Sequence, residues 1–180
     1  MKKSIALLRG INVGGKRKVL MQDLKLLFEN IGYAEVSTYI QSGNVIFNAT
    51  KSEPTVKVAN KIEAAISKTY GFDVPVVVIS AKALKNAVQE NPFLTDDTVL
   101  TEQLHLTFLK ETPDLELLLK MSEAVSTEDK FKVLGNVVYL YCQGKYHKSK
   151  LSNQFFESKL KISATTRNWK TSQKLAELSS

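Results

Sequence analysis

Strand-like and helix-like apolar patterns follow one another in a fixed order along the first 80 residues: strand, helix, strand, strand, helix, strand. The two middle strands flank Ser42-Gly43, where glycine supplies the positive φ of a tight hairpin turn. This order is the split βαβ arrangement of ferredoxin-like folds, in which two helices cover one face of a four-stranded antiparallel sheet. The predicted strands are 4–9, 36–41, 44–49 and 74–79, and the predicted helices are 21–31 and a second one from an N-cap at Ser52 to a stop at Gly71.

The second half of the chain repeats much of this order. Residues 135–139, Gly-Asn-Val-Val-Tyr, answer residues 43–47, Gly-Asn-Val-Ile-Phe, at an offset of 92, which favours an internal duplication. No clear fourth strand is predicted there. The predicted elements are a helix at 81–89, a strand at 103–109, a helix at 113–121 capped by Thr112, strands at 130–134 and 136–142, a helix capped by Ser152, and a last helix at 169–178.

The expected fold class is therefore α+β, with two ferredoxin-like halves, antiparallel sheets and C-terminal helices. The first half is expected over 1–80. A second, incomplete half with the C-terminal helices is expected over 81–180. Because no linker rich in Pro, Gly or Ser separates them, the two halves are expected to pack as one body.

Positive charge is concentrated at the two ends of the chain. The sequence has 25 Lys and Arg against 18 Asp and Glu, for a net charge of +7. Residues 1–20 hold six cations and no acid, residues 145–180 hold eight cations and two acids, and the segment between them is acidic. If the two ends meet in the fold, they form one surface suited to a phosphate-bearing partner. If they lie apart, they are two solvated basic faces.

Composition makes several functional classes unpromising. The longest apolar runs are far shorter than the roughly 20 residues of a membrane-spanning helix, and residues 5–8 are too few for the apolar core of a signal peptide. The protein is therefore expected to be cytoplasmic, with no membrane partner. The lone Cys142 and the distant His105 and His147 cannot supply the usual ligands of a structural zinc ion, so neither a metal nor a cofactor is predicted.

Residues 10–16, Gly-Ile-Asn-Val-Gly-Gly-Lys, have the spacing of a phosphate-binding P-loop. Arg17 stands where such a loop needs a Ser or Thr hydroxyl for Mg²⁺, and the predicted hairpin argues against the parallel sheet of those enzymes. A nucleotide-hydrolysing P-loop is therefore disfavoured. Backbone N–H groups surrounded by Arg9, Lys16 and Arg17 still predict an anion-binding loop, with a plain glycine-rich connector as the alternative.

Three further segments contain candidate ligand contacts. Residues 41–44 place polar side chains at a hairpin tip, where ordinary turn chemistry is the alternative. The basic residues 144–150, together with 165–170 before the last helix, predict a phosphate clamp in which a base stacks on Trp169 or Tyr146. The alternative is a packed Trp beside surface cations. The aromatic platform of ferredoxin-like RNA-binding proteins is missing from the predicted central strands.

Several of these motifs carry a family resemblance. They closely resemble the bacterial family catalogued as domain of unknown function 1697, and the likeness spans nearly the whole chain. The resemblance implies an α+β protein with ferredoxin-like halves and implies no established activity or ligand. The motifs are 6–16, 38–45, 91–93, 149–151, and 165–169 with Lys174-Leu175.

The leading functional hypothesis is a non-enzymatic module that binds an anionic partner, a nucleic acid or a phosphorylated small molecule such as a nucleotide, at one basic site built from both ends of the chain. An enzyme acting on a small anionic metabolite is the second hypothesis, and it lacks an evident general base, so no catalytic residue is predicted. A structural homo-oligomer is the third. The expected ligand-binding residues are Arg9, Asn12, Gly14, Gly15, Lys16, Gln41, Ser42, Asn44, Lys148, Lys150, Arg167, Asn168 and Trp169.

Overall fold

Two four-stranded antiparallel sheets contain the strands of the computed structural model, which confirms the predicted α+β class. The structure describes residues 2–50, 52–125 and 127–180. The chain divides into two units. Unit 1 comprises Met1–Lys85 together with Leu175–Ser180, and unit 2 comprises Asn86–Lys174. The predicted boundary at residue 80 is therefore close, but the last residues of the chain belong to unit 1.

Unit 1 has the predicted order of strands and helices. Its elements are β1 (Lys2–Leu8), α1 (Met21–Asn30), β2 (Ala34–Tyr39), β3 (Asn44–Ala49), α2 (Thr55–Tyr70) and β4 (Val76–Ser80), after which α3 (Ala81–Gln89) leads into unit 2. The strand order β2-β3-β1-β4 is antiparallel throughout. The β2–β3 hairpin and the longer connections through α1 and α2 produce this order, as the split βαβ pattern requires.

Both faces of the unit 1 sheet are buried. Successive side chains of a strand point to opposite faces, so Leu8 and Phe47 join α1 and α2 in one apolar core. Ile5, Leu7 and Val77 point the other way and are also buried. A ferredoxin-like protein that binds RNA on its sheet needs an open sheet face. The central strands of unit 1 also lack the aromatic platform of such proteins.

Unit 2 repeats the strand order of unit 1. Its elements are β5 (Leu104–Leu109), α4 (Leu115–Ala124), β6 (Lys130–Leu134), β7 (Val137–Tyr141), α5 (Asn153–Leu160) and β8 (Ala164–Asn168), followed by α6 (Trp169–Leu178), whose end belongs to unit 1. The sheet order is β6-β7-β5-β8. Leu8 N–H donates to the Gly43 carbonyl at 2.8 Å, and Leu109 N–H donates to the Asn136 carbonyl at 2.9 Å, so the same junction recurs in both units.

Strand β8 corrects the prediction of an incomplete second half. It pairs antiparallel with β5, with Thr166 opposite Thr107 and Arg167 opposite Leu106. The segment has only five residues, most of them polar, so its sequence shows no apolar alternation. Pairing with a central strand stabilises it instead, because its β-branched threonines fit a pleated sheet.

Two predicted helix caps are wrong. Helix α2 has Pro54 at its N-cap, with φ of −61°, and begins two residues later than an N-cap at Ser52 would place it. Helix α4 is capped by Asp114, whose carboxylate accepts from two backbone N–H groups, and not by Thr112. The predicted cap at Ser152 is confirmed, because its hydroxyl accepts from Phe155 N–H at 3.2 Å. Several residue types are good helix N-caps, so the sequence pattern alone did not show which of two neighbouring residues is the N-cap.

Candidate functional site

The glycine-rich segment of unit 1 folds into a small hairpin. Val13 and Lys16 form a β-bridge, and Lys16 N–H donates to the Val13 carbonyl at 3.1 Å. Gly14 and Gly15 occupy the turn with φ of +57° and +73°. Two consecutive left-handed residues are what a type I′ turn requires, and glycine adopts them without steric strain. The glycines therefore form the turn of this hairpin, as in the connector alternative, and the anion-binding loop stays a prediction.

Asn12 anchors this hairpin at two places. Its Oδ1 accepts from Val19 N–H at 2.9 Å, and its Nδ2 donates to the Val19 carbonyl at 2.9 Å. The same Nδ2 donates to the Gln41 carbonyl at 3.0 Å, which joins the hairpin to the β2–β3 turn. Two segments that the sequence analysis selected separately, 10–16 and 41–44, therefore lie side by side in unit 1. The Asn12 amide is engaged in holding them together.

The hairpin presents cations to solvent. Lys16, Arg17 and Lys18 are exposed, and Arg9, at the end of β1, is half-buried. No acidic residue occurs between Arg9 and Leu20. Backbone hydrogen bonds and the Asn12 side chain fix the backbone of the hairpin, so its cations project from an ordered backbone. We call residues 12–18 the basic hairpin.

The neighbouring β2–β3 turn contains both accessible and buried candidates. Gln41 and Ser42 are exposed, whereas Asn44 is fully buried. The Asn44 Nδ2 donates to the Tyr39 carbonyl and to Ser42 Oγ, each at 3.0 Å. Asn44 therefore stabilises the turn, and its placement differs from the exposed ligand contact that the sequence analysis expects.

The C-terminal candidates Arg167, Asn168 and Trp169 are engaged in holding β8 and α6. Arg167 is only 8% exposed, its Nη1 donates to Thr165 Oγ1 at 2.9 Å, and burial lowers the pKa of its guanidinium to about 10. Asn168 accepts from Thr171 N–H at 2.8 Å at the start of α6. Trp169 is 5% exposed. These placements agree with the packed-Trp alternative and differ from a base-stacking surface.

Lysines of the segment 144–150 line an open cleft in unit 2. The cleft has a volume of about 610 Å³, and its walls come from residues 127–129, 143–145 and 148–150. Lys145, Lys148 and Lys150 are exposed there, and the carboxylates of Glu128 and Asp129 also line it. We call this feature the lysine cleft.

The expected site residues thus fall into two groups. One group surrounds the basic hairpin of unit 1, and the other lies in β8, α6 and the lysine cleft of unit 2. A single site built from both ends of the chain stays a prediction. Two residues outside the expected ligand-binding set, Lys145 and Asp129, also line the cleft. Lys145 belongs to the recognisably basic segment, whereas nothing in the sequence connects Asp129 with that segment.

Residues 2–50, 52–125 and 127–180 contain no group of three or more His, Cys, Asp or Glu side chains placed to hold a metal ion. Over the same residues, no helix has both the length and the apolar character needed to cross a membrane. Cys142 is buried, and burial is the main cause that raises the pKa of its thiol to about 11. A thiol in this state is a poor nucleophile at neutral pH.

Comparison with known proteins agrees with the fold. The family model described as "Protein of unknown function (DUF1697)" matches residues 1–139, a range that includes the basic hairpin and ends before the lysine segment. No significant match is found among curated proteins. The chain is similar to the solved structure of the conserved bacterial protein SP0830 from Streptococcus pneumoniae, with 24% identity, a TM-score of 0.76 and 99% of each chain covered.

Proposed function

Because the chain belongs to the DUF1697 family, whose description names no activity, we propose a function from the geometry of unit 1: the protein binds nucleic acid through its basic hairpin. The contact is made to the phosphate backbone, and it is a binding function without catalysis. The phosphate groups of the partner supply the negative charge that the hairpin lacks.

The observation that supports this proposal is the charge of the hairpin surface. Lys16, Arg17 and Lys18 are consecutive, all three are exposed, and no acid lies between Arg9 and Leu20. A cation that neutralises a phosphate also releases a counterion condensed on the nucleic acid, which favours binding. Because Asn12 and the backbone already hold the hairpin, little backbone entropy is lost when it engages a partner.

Exposure of the hairpin favours a polymer over a small ligand. Residues 13–18 are all exposed, whereas small-molecule sites enclose most of the ligand surface. A phosphodiester backbone can lie along such a projecting surface and contact several cations in turn. Gln41 and Ser42 are exposed in the adjacent turn and can add hydrogen bonds to phosphate or sugar.

The test is fluorescence anisotropy with a labelled single-stranded RNA and the matching DNA at several salt concentrations. We expect saturable binding whose logarithmic affinity falls linearly with the logarithm of salt concentration. Lys16→Gln and Lys18→Gln should each reduce that slope by about 0.7, the value for one lost contact to a single strand. Each substitution should weaken binding by about two- to fivefold at moderate salt.

Lys57→Gln is the matched control, because Lys57 is an exposed lysine of unit 1 on α2. It removes the same charge from the protein and should leave the salt slope unchanged. Binding that does not depend on salt would contradict a contact with the phosphate backbone. Binding that weakens equally in the Lys57 variant would contradict a hairpin contact and leave only the net charge of the protein as the cause.

A further inference from the structure

We propose that the lysine cleft of unit 2 is a second binding site, separate from the basic hairpin, for a small phosphorylated ligand. Its volume of about 610 Å³ lies in the range of small-molecule sites. Three lysines, Lys145, Lys148 and Lys150, line the cleft together with two acidic residues, Glu128 and Asp129. One of those carboxylates is already engaged in hydrogen bonds within the protein.

Asp129 holds both ends of the lysine-bearing segment. Its Oδ1 accepts from Gln143 N–H at 2.8 Å, before Lys145, and its Oδ2 accepts from the Ser149 hydroxyl, after Lys148. Asp129 therefore closes the segment 143–149 into a loop. Both of its carboxylate oxygens accept hydrogen bonds from the loop, so Asp129 acts as a clamp on the cleft.

Further contacts fix the same loop from its ends and its middle. The Ser149 hydroxyl accepts from Leu151 N–H at 3.1 Å. The Gln143 carbonyl accepts from Gln103 Nε2 at 3.1 Å. In the middle of the loop, the Tyr146 hydroxyl donates to Thr166 Oγ1 at 2.9 Å. Solvated lysines need no such framework, whereas a binding site gains affinity when its groups are held in place beforehand.

The ligand that fits is an anion with several oxygen acceptors. Three lysines supply point charges with rotatable N–H donors, which suit phosphate. The cleft is open and polar, so it takes a hydrated phosphate or pyrophosphate group with the rest of the ligand towards solvent.

The experiment is a titration of the full chain with inorganic phosphate, inorganic pyrophosphate and ATP, followed by amide NMR. We expect saturable shifts of Gly144, Lys145 and Ser149 and no shifts in residues 13–18. Equal affinities for pyrophosphate and ATP would mean that the phosphate groups alone are recognised, whereas tighter binding of ATP would mean that the nucleoside also contacts the protein. Absence of saturable shifts in 143–150 with all three probes would overturn the proposal.

Substitutions separate a built site from general attraction to lysine. Lys148→Gln and Lys150→Gln should each raise the dissociation constant about two- to fivefold, and Lys159→Gln, an exposed lysine of α5, should not. Asp129→Asn tests the clamp, because the direction in which it changes phosphate affinity distinguishes two roles of Asp129. Removing a negative charge should strengthen phosphate binding if Asp129 acts only by repulsion, whereas weaker binding is expected if it holds the loop.

Ser149→Ala keeps the charge of the cleft and removes one arm of the clamp, so it should also weaken binding. Unchanged binding in Ser149→Ala together with tighter binding in Asp129→Asn would show that no clamp exists. The hairpin variants Lys16→Gln and Lys18→Gln should not alter phosphate binding to the cleft. The two proposals can therefore fail independently of each other.

Discussion

His105 is a half-buried side chain of β5, and its environment is defined by one stacked ring and one carbonyl. Its ring lies 4.8 Å from that of Tyr146, centroid to centroid, with the planes 22° apart. Its Nδ1 is 3.2 Å from the Gln103 carbonyl. Burial lowers the pKa of His105 below its ordinary value of 6.5, and this effect outweighs that of the Gln103 carbonyl, which favours the charged ring.

The lowered pKa predicts a loss of stability in mild acid. As the pH falls below 6.5, the unfolded chain binds a proton at this histidine while the folded chain resists it, so the free energy of unfolding decreases. One proton corresponds to a slope of at most about 1.4 kcal/mol per pH unit. Urea unfolding between pH 7 and pH 5 should show a shallower decrease for His105→Gln than for the wild type.

His147 supplies the control for this prediction, because it is the other histidine of the chain and is exposed. His147→Gln should follow the wild-type pH dependence. A His105→Gln profile parallel to that of the wild type would mean that carboxylates alone cause the acid sensitivity.

At the scale of elements, the β2–β3 turn packs unusually close to β1. Gly43 has φ of +79°, and a Cβ at this position would lie 2.7 Å from Leu8 Cβ and 2.8 Å from Ile11 Cδ1. Gly32, between α1 and β2, has a similar left-handed φ of +94° and open space where its Cβ would be. These two glycines separate the cost of backbone conformation from the cost of crowding.

Alanine at these two positions should therefore destabilise the protein to different extents. Gly32→Ala carries only the left-handed conformation and should cost about 1 kcal/mol. Gly43→Ala adds a clash with the side chains of β1 and the hairpin base, which should bring its cost to about 3 kcal/mol or more. Equal losses in thermal and urea unfolding would show that the turn moves away from β1 without penalty.

At the scale of the whole molecule, the C-terminal helix contains residues of both units. Helix α6 begins in unit 2, and residues Leu175–Ser180 belong to unit 1. Leu175 is fully buried, whereas Leu178 on the same helix is 44% exposed. The carbonyl of Ser180 accepts from Lys3 Nζ at 3.2 Å, so the last residue contacts the first strand.

Removing the Leu175 side chain should destabilise unit 1 although the residue lies near the end of the chain. Leu175→Ala should cost about 2 to 5 kcal/mol, as expected for a buried leucine. Leu178→Ala should cost less than about 1 kcal/mol. Amide hydrogen exchange should accelerate in β1 and β4 of the Leu175 variant. Acceleration confined to β5 and β8 would instead assign this part of α6 to unit 2.

The sequence by itself determined the order of the helices and strands apart from β8, and it located β3, α3, β6 and α6 at their observed bounds. Apolar periodicity and turn glycines act over a few residues, so they locate α1, α3, the β2–β3 hairpin and the repeated second half without knowledge of distant contacts. The charge pattern likewise identified the basic hairpin and the lysine segment as surfaces of interest. These features depend on near neighbours in the chain, which the sequence contains directly.

Only the tertiary structure decided which polar residues face solvent. Strand β8 forms because Thr166 meets Thr107, 59 positions earlier in the chain. Burial of Asn44 and Arg167, and the two hydrogen bonds by which Asp129 closes the loop 143–149, depend in the same way on tertiary contacts. The sequence does not show whether a polar side chain binds a ligand or satisfies a buried backbone group, because both roles use the same hydrogen-bond donors and acceptors.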